Sequence, residues 1–375
     1  MSDNEPFLCQ FVDEIRDVPA RSQTDLKHFL TKKFKVFSAQ KGSLSDKQVL
    51  VLARDYDREA DIIGICLLSR GIDYVRLNVE DIPSQLRIRY TINQNSDPKV
   101  ESTIREQTLD TSKISVVWQR QFDVKLINFD GQEFARTYSF QQWEEALRML
   151  QRGLTTSCQW ISPHDATLKA SDRLEQLSIA KTVGFDIPAT LITNDPEAAL
   201  DFYHSHDRDI VLKALHHHSV EVQGKVYSMY THRVREQDLR KLDDLIYAPC
   251  ILQQRLPKKS DLRVTVVGEQ VFAAELDSQP TGIGIDDDLH RSLSSDNVSI
   301  RAIKLKDTIS ECCIKIIKSL GLRYGTIDFV IWKDDNRLTF LEVNPMGDWY
   351  WIESRTKQPI TEAVTDLIED AIHHT

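Results

Sequence analysis

Residues 326–353 read TIDFVIWKDDNRLTFLEVNPMGDWYWIE. Two β-rich runs, Thr326–Lys333 and Leu338–Asn344, flank the turn-forming Asp334-Asp335-Asn336. With Asp335 at the tip, Asp328 falls opposite Glu342, and Asn344, two residues further on, points to the same side of its strand. Two carboxylates facing each other across a hairpin repel, and a hard divalent cation would relieve that repulsion. Three oxygen donors, Asp328, Glu342 and Asn344, with no His or Cys beside them, suit Mg²⁺, which takes one or two carboxylates and completes its shell with phosphate oxygens. A solvated hairpin with incidental acids is the alternative that this motif leaves open.

Working outward, the chain has 375 residues, 41% hydrophobic and 28% charged, with a net charge of −10. That size allows two or three domains with substantial cores. The acidic balance argues against a broad nucleic-acid surface. No apolar run approaches the roughly 18–20 residues of a membrane span, and MSDNEPFLCQ lacks a secretory pattern. Cys9, Cys66, Cys158, Cys250, Cys312 and Cys313 are scattered without a CxxC, which suits buried thiols in a reducing cytoplasm.

Residues 1–45 are a polar extension with short apolar patches, of unassigned role, and Lys41-Gly-Ser-Leu-Ser reads as a linker. Val49–Ala53 (VLVLA) reads as a buried strand, Asp57–Arg70 as a helix closed by Gly71, and Tyr74–Asn78 as a returning strand. This βαβ unit predicts a parallel α/β sheet over residues 46–160. Ile88–Ile92 and Ser115–Gln119 continue as strands, and Gln141–Arg152 is an amphipathic helix. Further on, Ser171 is expected to cap a helix ending at Gly184, and Pro196 starts another. Asp209–Leu215 reads as a strand with Lys225–Tyr230 as its hairpin partner. Cys250–Gln254, Asp261–Val267 and Gln270–Asp277 read as strands. Helices are expected at Asp307–Leu320 and after Pro359. The boundaries are drawn at 161–252 and 253–375.

Several side chains between these elements carry chemistry. Lys213 lies in an apolar strand, where burial calls for an anion, although an outward face would leave it in solvent. His216-His217-His218-Ser219 follows it. Adjacent side chains on an extended segment point to opposite faces and a fourth ligand is missing, so a loop over phosphates is favoured above zinc. Gln253, Gln254, Arg255 and Leu256 form a strand exit before Pro257, able to offer backbone groups to an adenine edge or to serve as a plain connector. Arg263 is the lone base in LRVTVV, with a planar fork fit for phosphate or carboxylate, or for a structural ion pair.

Taken together, the order of these pieces resembles the ATP-grasp ligases over residues 48–375: a strand lysine (Lys213), an adenine hinge (Gln253 to Leu256), an arginine strand (Arg263), then Asp328, Glu342 and Asn344. LITNDPEAA at 191–199, LPKKSDLRVTVVG at 256–268, AAELDSQ at 273–279 and FLEVNPMGDWYWIE at 340–353 narrow the likeness to the graspetide, or microviridin-type, macrocyclases. The resemblance implies an ATP-grasp fold: an N-terminal parallel α/β domain followed by two α+β lobes clamping ATP. It implies that ATP phosphorylates a side-chain carboxylate of a ribosomal precursor peptide, that a Ser, Thr or Lys side chain of the same peptide attacks, and that an ω-ester or ω-amide ring forms with release of ADP and phosphate. ATP and Mg²⁺ are the implied cofactors. Asp328, Glu342 and Asn344 would hold the metal; Arg173 and Lys213 the phosphates; Gln253 to Leu256 the adenine. Arg263, with Lys213 and Arg291, would act on the transferred group.

This chain departs from the pattern in three places. Arg173 stands where the family usually has lysine, Leu215-His-His-His-Ser replaces a glycine-rich loop, and Arg291 in DDDLHR stands near the place of an Asp-Trp-Arg. A precursor leader is expected to dock near residues 185–250 as a short helix, with Arg233, Arg235 and Arg240 meeting its acids and with Leu215–Ser219 and Ile283–Ser295 shifting toward closed forms. No nucleic acid or membrane partner is expected, and a homodimer is compatible with the sequence. A ligase joining an amino acid to a small molecule or protein terminus would share every ATP residue. A non-catalytic nucleotide-binding scaffold would share the fold.

Overall fold

The structure is a computed structural model that describes residues 47–94, 96–104, 107–123, 127, 129, 131–155, 158–215, 219–222, 225–228, 231–277 and 299–374. Its first layer grows from the apolar run Gln48–Ala53 (β1). Asp57 caps helix α1 (Arg58–Ser69) by accepting from the Ala60 N–H, and Gly71 follows with φ +75°, a conformation that favours glycine. The chain returns as β2 (Tyr74–Asn78) parallel to β1. β3 (Leu86–Asn93), β4 (Ser96–Ile104) and β5 (Gln107–Leu109) form a separate antiparallel sheet. β6 (Ile114–Gln119) then re-enters beside β1, α2 spans Glu133–Thr155, and β7 (Gln159–Ile161) completes a parallel sheet ordered β2-β1-β6-β7.

Both faces of that sheet are covered, which explains its unbroken apolar strands. Leu50, Leu52, Leu77 and Val117 pack under Leu147, Leu150 and Leu154 of α2. Val49, Val51 and Val116 pack with α1 and with Ile360, Val364 and Ile368 of the C-terminal helix. That second core also takes in Val267, Leu276, Tyr324 and Trp349, so it forms the seam to the C-terminal sheet.

After α3 (His164–Lys169) comes α4 (Arg173–Thr182), whose cap is Asp172, not Ser171: the Asp172 carboxylate accepts from the Leu174 and Glu175 N–H groups. Ser171 instead donates its hydroxyl to the Thr167 carbonyl. β8 (Thr190–Thr193), α5 (Pro196–Ser205) and β9 (Ile210–Lys213) follow. β10 (Ser219–Val222) pairs with β11 (Lys225–Ser228), so the expected partnership of 225–230 with 209–215 is not made. β9 instead takes β12 (His232–Arg233) on one side and β13 (Cys250–Gln254) on the other. The four-residue span of β10 folds back on its neighbour before the chain reaches β9 again, a local pairing with a short closure. Ten residues, Asp238–Tyr247, form 3₁₀ turns in between.

The last sheet is antiparallel, ordered β16-β15-β14-β17-β18: β14 (Lys258–Val267), β15 (Gln270–Asp277), β16 (Ser299–Ile303), β17 (Tyr324–Trp332) and β18 (Leu338–Asn344). α6 (Asp307–Ser319) separates β16 from β17, and α7 (Tyr350–Thr356) and α8 (Ile360–His373) end the chain. Leu262, Val264, Val266, Ile327, Phe329, Phe340 and Val343 face α4 and α6 in one core. The alternate residues Arg263, Thr265, Thr326, Asp328, Glu342 and Asn344 therefore share the opposite face.

Candidate active site

The hairpin β17–β18 pairs Asp328 with Glu342 and Thr326 with Asn344. Nearer the tip the register slips by one, and Phe329 pairs with Phe340. Leu341 is the extra residue of this bulge, a device that re-aims side chains beside sites. On the other flank of β17, Arg263 pairs with Asp328 and donates from one guanidinium nitrogen to both carboxylate oxygens, at 3.1 and 3.2 Å. Arg263 is buried, lies beneath the Trp351 ring at 5.5 Å, and its Nε is buried with no acceptor among the described residues. A buried guanidinium with an unused donor is arranged for an anion that is not part of the protein.

Gln176 of α4 covers the outer edge of β18. Its amide oxygen accepts from the Val343 N–H at 2.8 Å, and its amide nitrogen donates to the Val343 carbonyl, also at 2.8 Å. The side chain thus pairs like a strand with the residue between Glu342 and Asn344. Arg173, one turn earlier, donates to Gln176 and forms an ion pair with Glu342 at 2.6 Å. The Asn344 amide oxygen accepts from the Met346 N–H at 3.2 Å.

Among the described residues there is no group of three or more His, Cys, Asp or Glu side chains fit for a metal. The hairpin set is two carboxylates and an amide, all hard oxygen donors on one sheet face, which fits a magnesium ion sharing its shell with phosphates. Both carboxylates are meanwhile neutralised by arginines, the charge balance expected where cation and anion meet.

The β8–β13–β9 lobe carries the rest. Lys213 pairs with Ile251 across the sheet and donates from Nζ to the Gln253 amide oxygen at 2.9 Å, and Gln253 donates onward to Thr190 at 3.0 Å. Leu191, Leu212 and Leu252 fill the core under α5, so Lys213, Gln253 and Thr190 occupy the face away from that core. At the hinge, the N–H groups of Gln254 and Arg255 donate to the Ala189 and Asp209 carbonyls. The Arg255 guanidinium is tied to Asp209 at 2.7 Å, where Arg233 also binds at 2.9 Å. Leu256 is buried. Arg291, His216 to His218 and Ile283–Ser295 lie outside the described residues.

One buried charge was not singled out in the sequence. Arg120, directly after β6, is 1% exposed. It donates to Asp57 at 3.2 Å, to Asp348 at 2.6 Å and to the Met346 carbonyl at 3.0 Å, with Glu59 at 3.6 Å. Its guanidinium lies beside the paired rings of Trp118 and Trp349, at 5.9 and 5.1 Å from their centroids. Burial opposes its charge, but Asp57, Glu59 and Asp348 hold it above the ordinary arginine range. Burial also pushes the Glu59 carboxyl up, against the pull of Arg120. The only sequence signal was a base next to a buried strand end.

A sheet face bearing an arginine, two carboxylates and an amide, with a separate sheet bearing a strand lysine and a hinge, is the donor set that an ATP-grasp ligase calls for. The chain belongs to the RimK-like ATP-grasp family, whose domain matches residues 170–368. No curated protein matches the chain. Among solved structures it is similar to the macrocyclase MdnC bound with precursor peptide MdnA from Microcystis aeruginosa MRC: 26% identity, 86% of this chain and 100% of that one, TM-score 0.76. A Chryseobacterium gregarium RiPP-associated ATP-grasp ligase in complex with ADP and a leader and core peptide matches at 25% identity over 86% and 97% of the two chains, TM-score 0.72. The ATP-grasp ligase PsnB, complexed with a phosphomimetic variant of minimal precursor, Mg and ADP, matches in fold at 20% identity over 87% and 98%, TM-score 0.64. No helix among the described residues is long and apolar enough to cross a membrane.

Proposed function

We propose that this ATP-grasp ligase phosphorylates side-chain carboxylates of a ribosomal precursor peptide and closes ω-ester or ω-amide rings within it. The observation that carries the reading is the convergence of Arg263, Asp328, Glu342 and Asn344 on one sheet face, in a chain that is similar along most of its length to a macrocyclase solved with its precursor peptide and to a RiPP-associated ATP-grasp ligase solved with a leader and core peptide. In domain terms, residues 46–160 would support the site, and residues 161–252 and 253–375 would clamp the nucleotide between them.

The chemistry follows from these residues. A peptide carboxylate oxygen attacks the γ-phosphorus, the bond to the β-phosphate bridging oxygen breaks, and ADP leaves. A hydroxyl or amine of the same peptide then attacks the acyl carbon, the bond to phosphate breaks, and the nucleophile's proton is lost. Negative charge develops at both steps, so preorganised cations aimed at it lower the barrier. Mg²⁺, when bound, neutralises phosphate charge. Asp328, Glu342 and Asn344 are assigned to hold it, Lys213 and Arg173 to bind ATP phosphates, and Arg263 to meet the transferred phosphoryl group. Arg291 is assigned beside them on sequence alone. At the hinge, the Arg255 side chain is committed to Asp209, and Gln253 to Leu256 are assigned to the adenine.

The partner is a leader-bearing precursor docked near residues 185–250. There Arg233 is already engaged by Asp209, which leaves Arg235 and Arg240 to meet leader acids. The five described cysteines are free thiols, which agrees with work in the cytoplasm. Mass spectrometry of precursor incubated with enzyme, ATP and Mg²⁺ tests the reading: each ring removes one water. Precursor returned at unchanged mass while a free amino acid is consumed would replace it with a small-substrate ligase.

A further inference from the structure

We propose that Arg120, contributed by the parallel sheet of the N-terminal layer, is a positioning residue for the chemical step: it clamps the 345–348 loop so that Gly347 seats Arg263 and Met346 aims Asn344. The inference rests on the ligase reading above and adds a residue outside both nucleotide-clamping lobes.

The path is short and runs through direct contacts. The loop leaves β18 at Asn344. The Met346 N–H holds the Asn344 amide oxygen at 3.2 Å, and the Met346 carbonyl accepts from Arg120 at 3.0 Å. The Gly347 carbonyl accepts from Arg120 at 3.4 Å and from the buried Tyr324 hydroxyl. On its other side Gly347 is pressed against the site: a Cβ there would overlap Thr326 and stand 3.0 Å from an Arg263 guanidinium nitrogen. Asp348 gives its carboxylate to Arg120 at 2.6 Å and its carbonyl to Arg263 at 3.4 Å. Glu59 accepts from the Trp349 and Tyr350 N–H groups at 3.2 Å each, pinning the start of α7.

Why an arginine is needed follows from geometry. The guanidinium spends donors in fixed directions on two carboxylates and two carbonyls, while two tryptophan rings and Asp57 hold its plane. A lysine keeps the charge but presents a single ammonium, which reaches some of these acceptors and not all. The loop would then gain freedom of a few tenths of an ångström next to Arg263 and Asn344. Misplacement on the scale of 1 Å can cost about 10²-fold in rate, whereas ATP affinity, set by Lys213 and the hinge in another lobe, would change little.

The test uses the full-length enzyme and Arg120→Lys, with ring formation, ATP hydrolysis without peptide, nucleotide affinity and melting temperature measured on each protein. Arg120→Lys is expected to lower kcat about 10- to 100-fold, with the ATP KM within about threefold and more ADP released per ring. In an Arg263→Lys background the same change should cost less than about threefold, because coupled residues are not additive. Should Arg120→Lys fail to fold, Asp348→Asn, on a side chain half exposed to solvent, should lower kcat about 3- to 10-fold in the same direction, following the same loss of loop fixation. Wild-type kcat in folded Arg120→Lys overturns the proposal, as do full multiplication of the two effects and a rate loss tracking ATP affinity. Absence of rings from wild-type enzyme would sink the macrocyclase reading instead, and the kcat-against-KM split in ATP hydrolysis would still decide the role of Arg120.

Discussion

Two buried arginines stand on either side of Gly347, and their surroundings differ. Arg120 is enclosed by three carboxylates, two carbonyls and two indole rings. Among the described residues Arg263 has one carboxylate, one distant carbonyl and one indole face, with its Nε unclaimed. Both were taken out of water, which costs several kcal/mol per ion unless hydrogen bonds replace it. The first is fully repaid within the fold and so acts as a fixed joint. The second retains donor capacity, as a site for a transient anion must. The difference separates a charge fully engaged by the fold from one with donor capacity to spare better than burial does, since both residues are nearly inaccessible.

The comparison is most easily broken at the proposed metal ligands. Glu342→Gln keeps the shape and removes one charge beside the proposed Mg²⁺. We expect turnover to fall by about 10³-fold or more, several kcal/mol of transition-state stabilisation, with circular dichroism unchanged. Near-normal cyclisation by the folded variant would show that the hairpin carboxylates are not the metal site.

Next come the two cations of the opposed lobes. Arg263→Ala should lower kcat by about 10²–10³-fold, the scale of losing one preorganised donor to developing charge. Lys213→Ala should instead raise the ATP KM about tenfold with kcat less affected, because ground-state binding is expressed in KM and transition-state binding in kcat. If both variants keep wild-type kcat/KM for ATP and peptide, neither residue handles phosphate.

Gly347→Ala probes the wall between the two arginines. Its Cβ would collide with Thr326 and crowd Arg263, and overpacking of this kind costs about 1–3 kcal/mol. The expected result is a lower Tm together with a kcat drop of about tenfold as Arg263 is pushed aside. A drop in Tm with kcat intact would mean that the site tolerates movement of this wall.

How far the sequence carried these assignments depends on the range of the contacts. The facing of Asp328 and Glu342 was legible from the turn residues and strand period, and β17–β18 pair them, although the pairs nearer the tip are one residue off the register centred on Asp335 and a bulge restores it. The one-residue bulge at Leu341 was not, since it lies between two strands of ordinary β composition. The helix cap moved from Ser171 to Asp172 because both are good caps and only geometry chooses between them. The partner of β9 was missed because β12 is two residues long, too short for any period to register. Arg120 was invisible for a different reason: Asp57 and Glu59 reach it only once the parallel sheet and its helix have formed, and Asp348 only when the loop after β18, 228 residues away in sequence, meets that sheet.

The smallest expected effect sits next to that joint. Gln119, just before Arg120, and Gln151 of α2 both direct amide nitrogens at His164 Nδ1, at 3.2 and 3.4 Å. Gln151 also donates to the Gln119 oxygen at 3.2 Å, which fixes the orientation of that amide. With two donors pointing at it, Nδ1 is an acceptor and the ring is neutral. Burial lowers the His164 pKa from its usual value, the more distant Arg148 adds to this, and Asp165 and Asp123 oppose it. For a histidine with a depressed folded-state pKa, the unfolded chain binds the proton first as pH falls. The stabilising contribution is therefore present above the unfolded value near 6.5 and is lost as pH drops through the folded one. His164→Gln removes the titration and keeps an amide able to accept. Its Tm should fall less steeply than wild type between pH 7 and pH 5, with kcat at pH 7.5 unchanged, since His164 is bonded to Gln119 and Gln151, one side chain removed from Arg120. Parallel Tm profiles for the two proteins would show that His164 is not held neutral, and a reduced kcat would show that the joint extends back from Arg120 to His164.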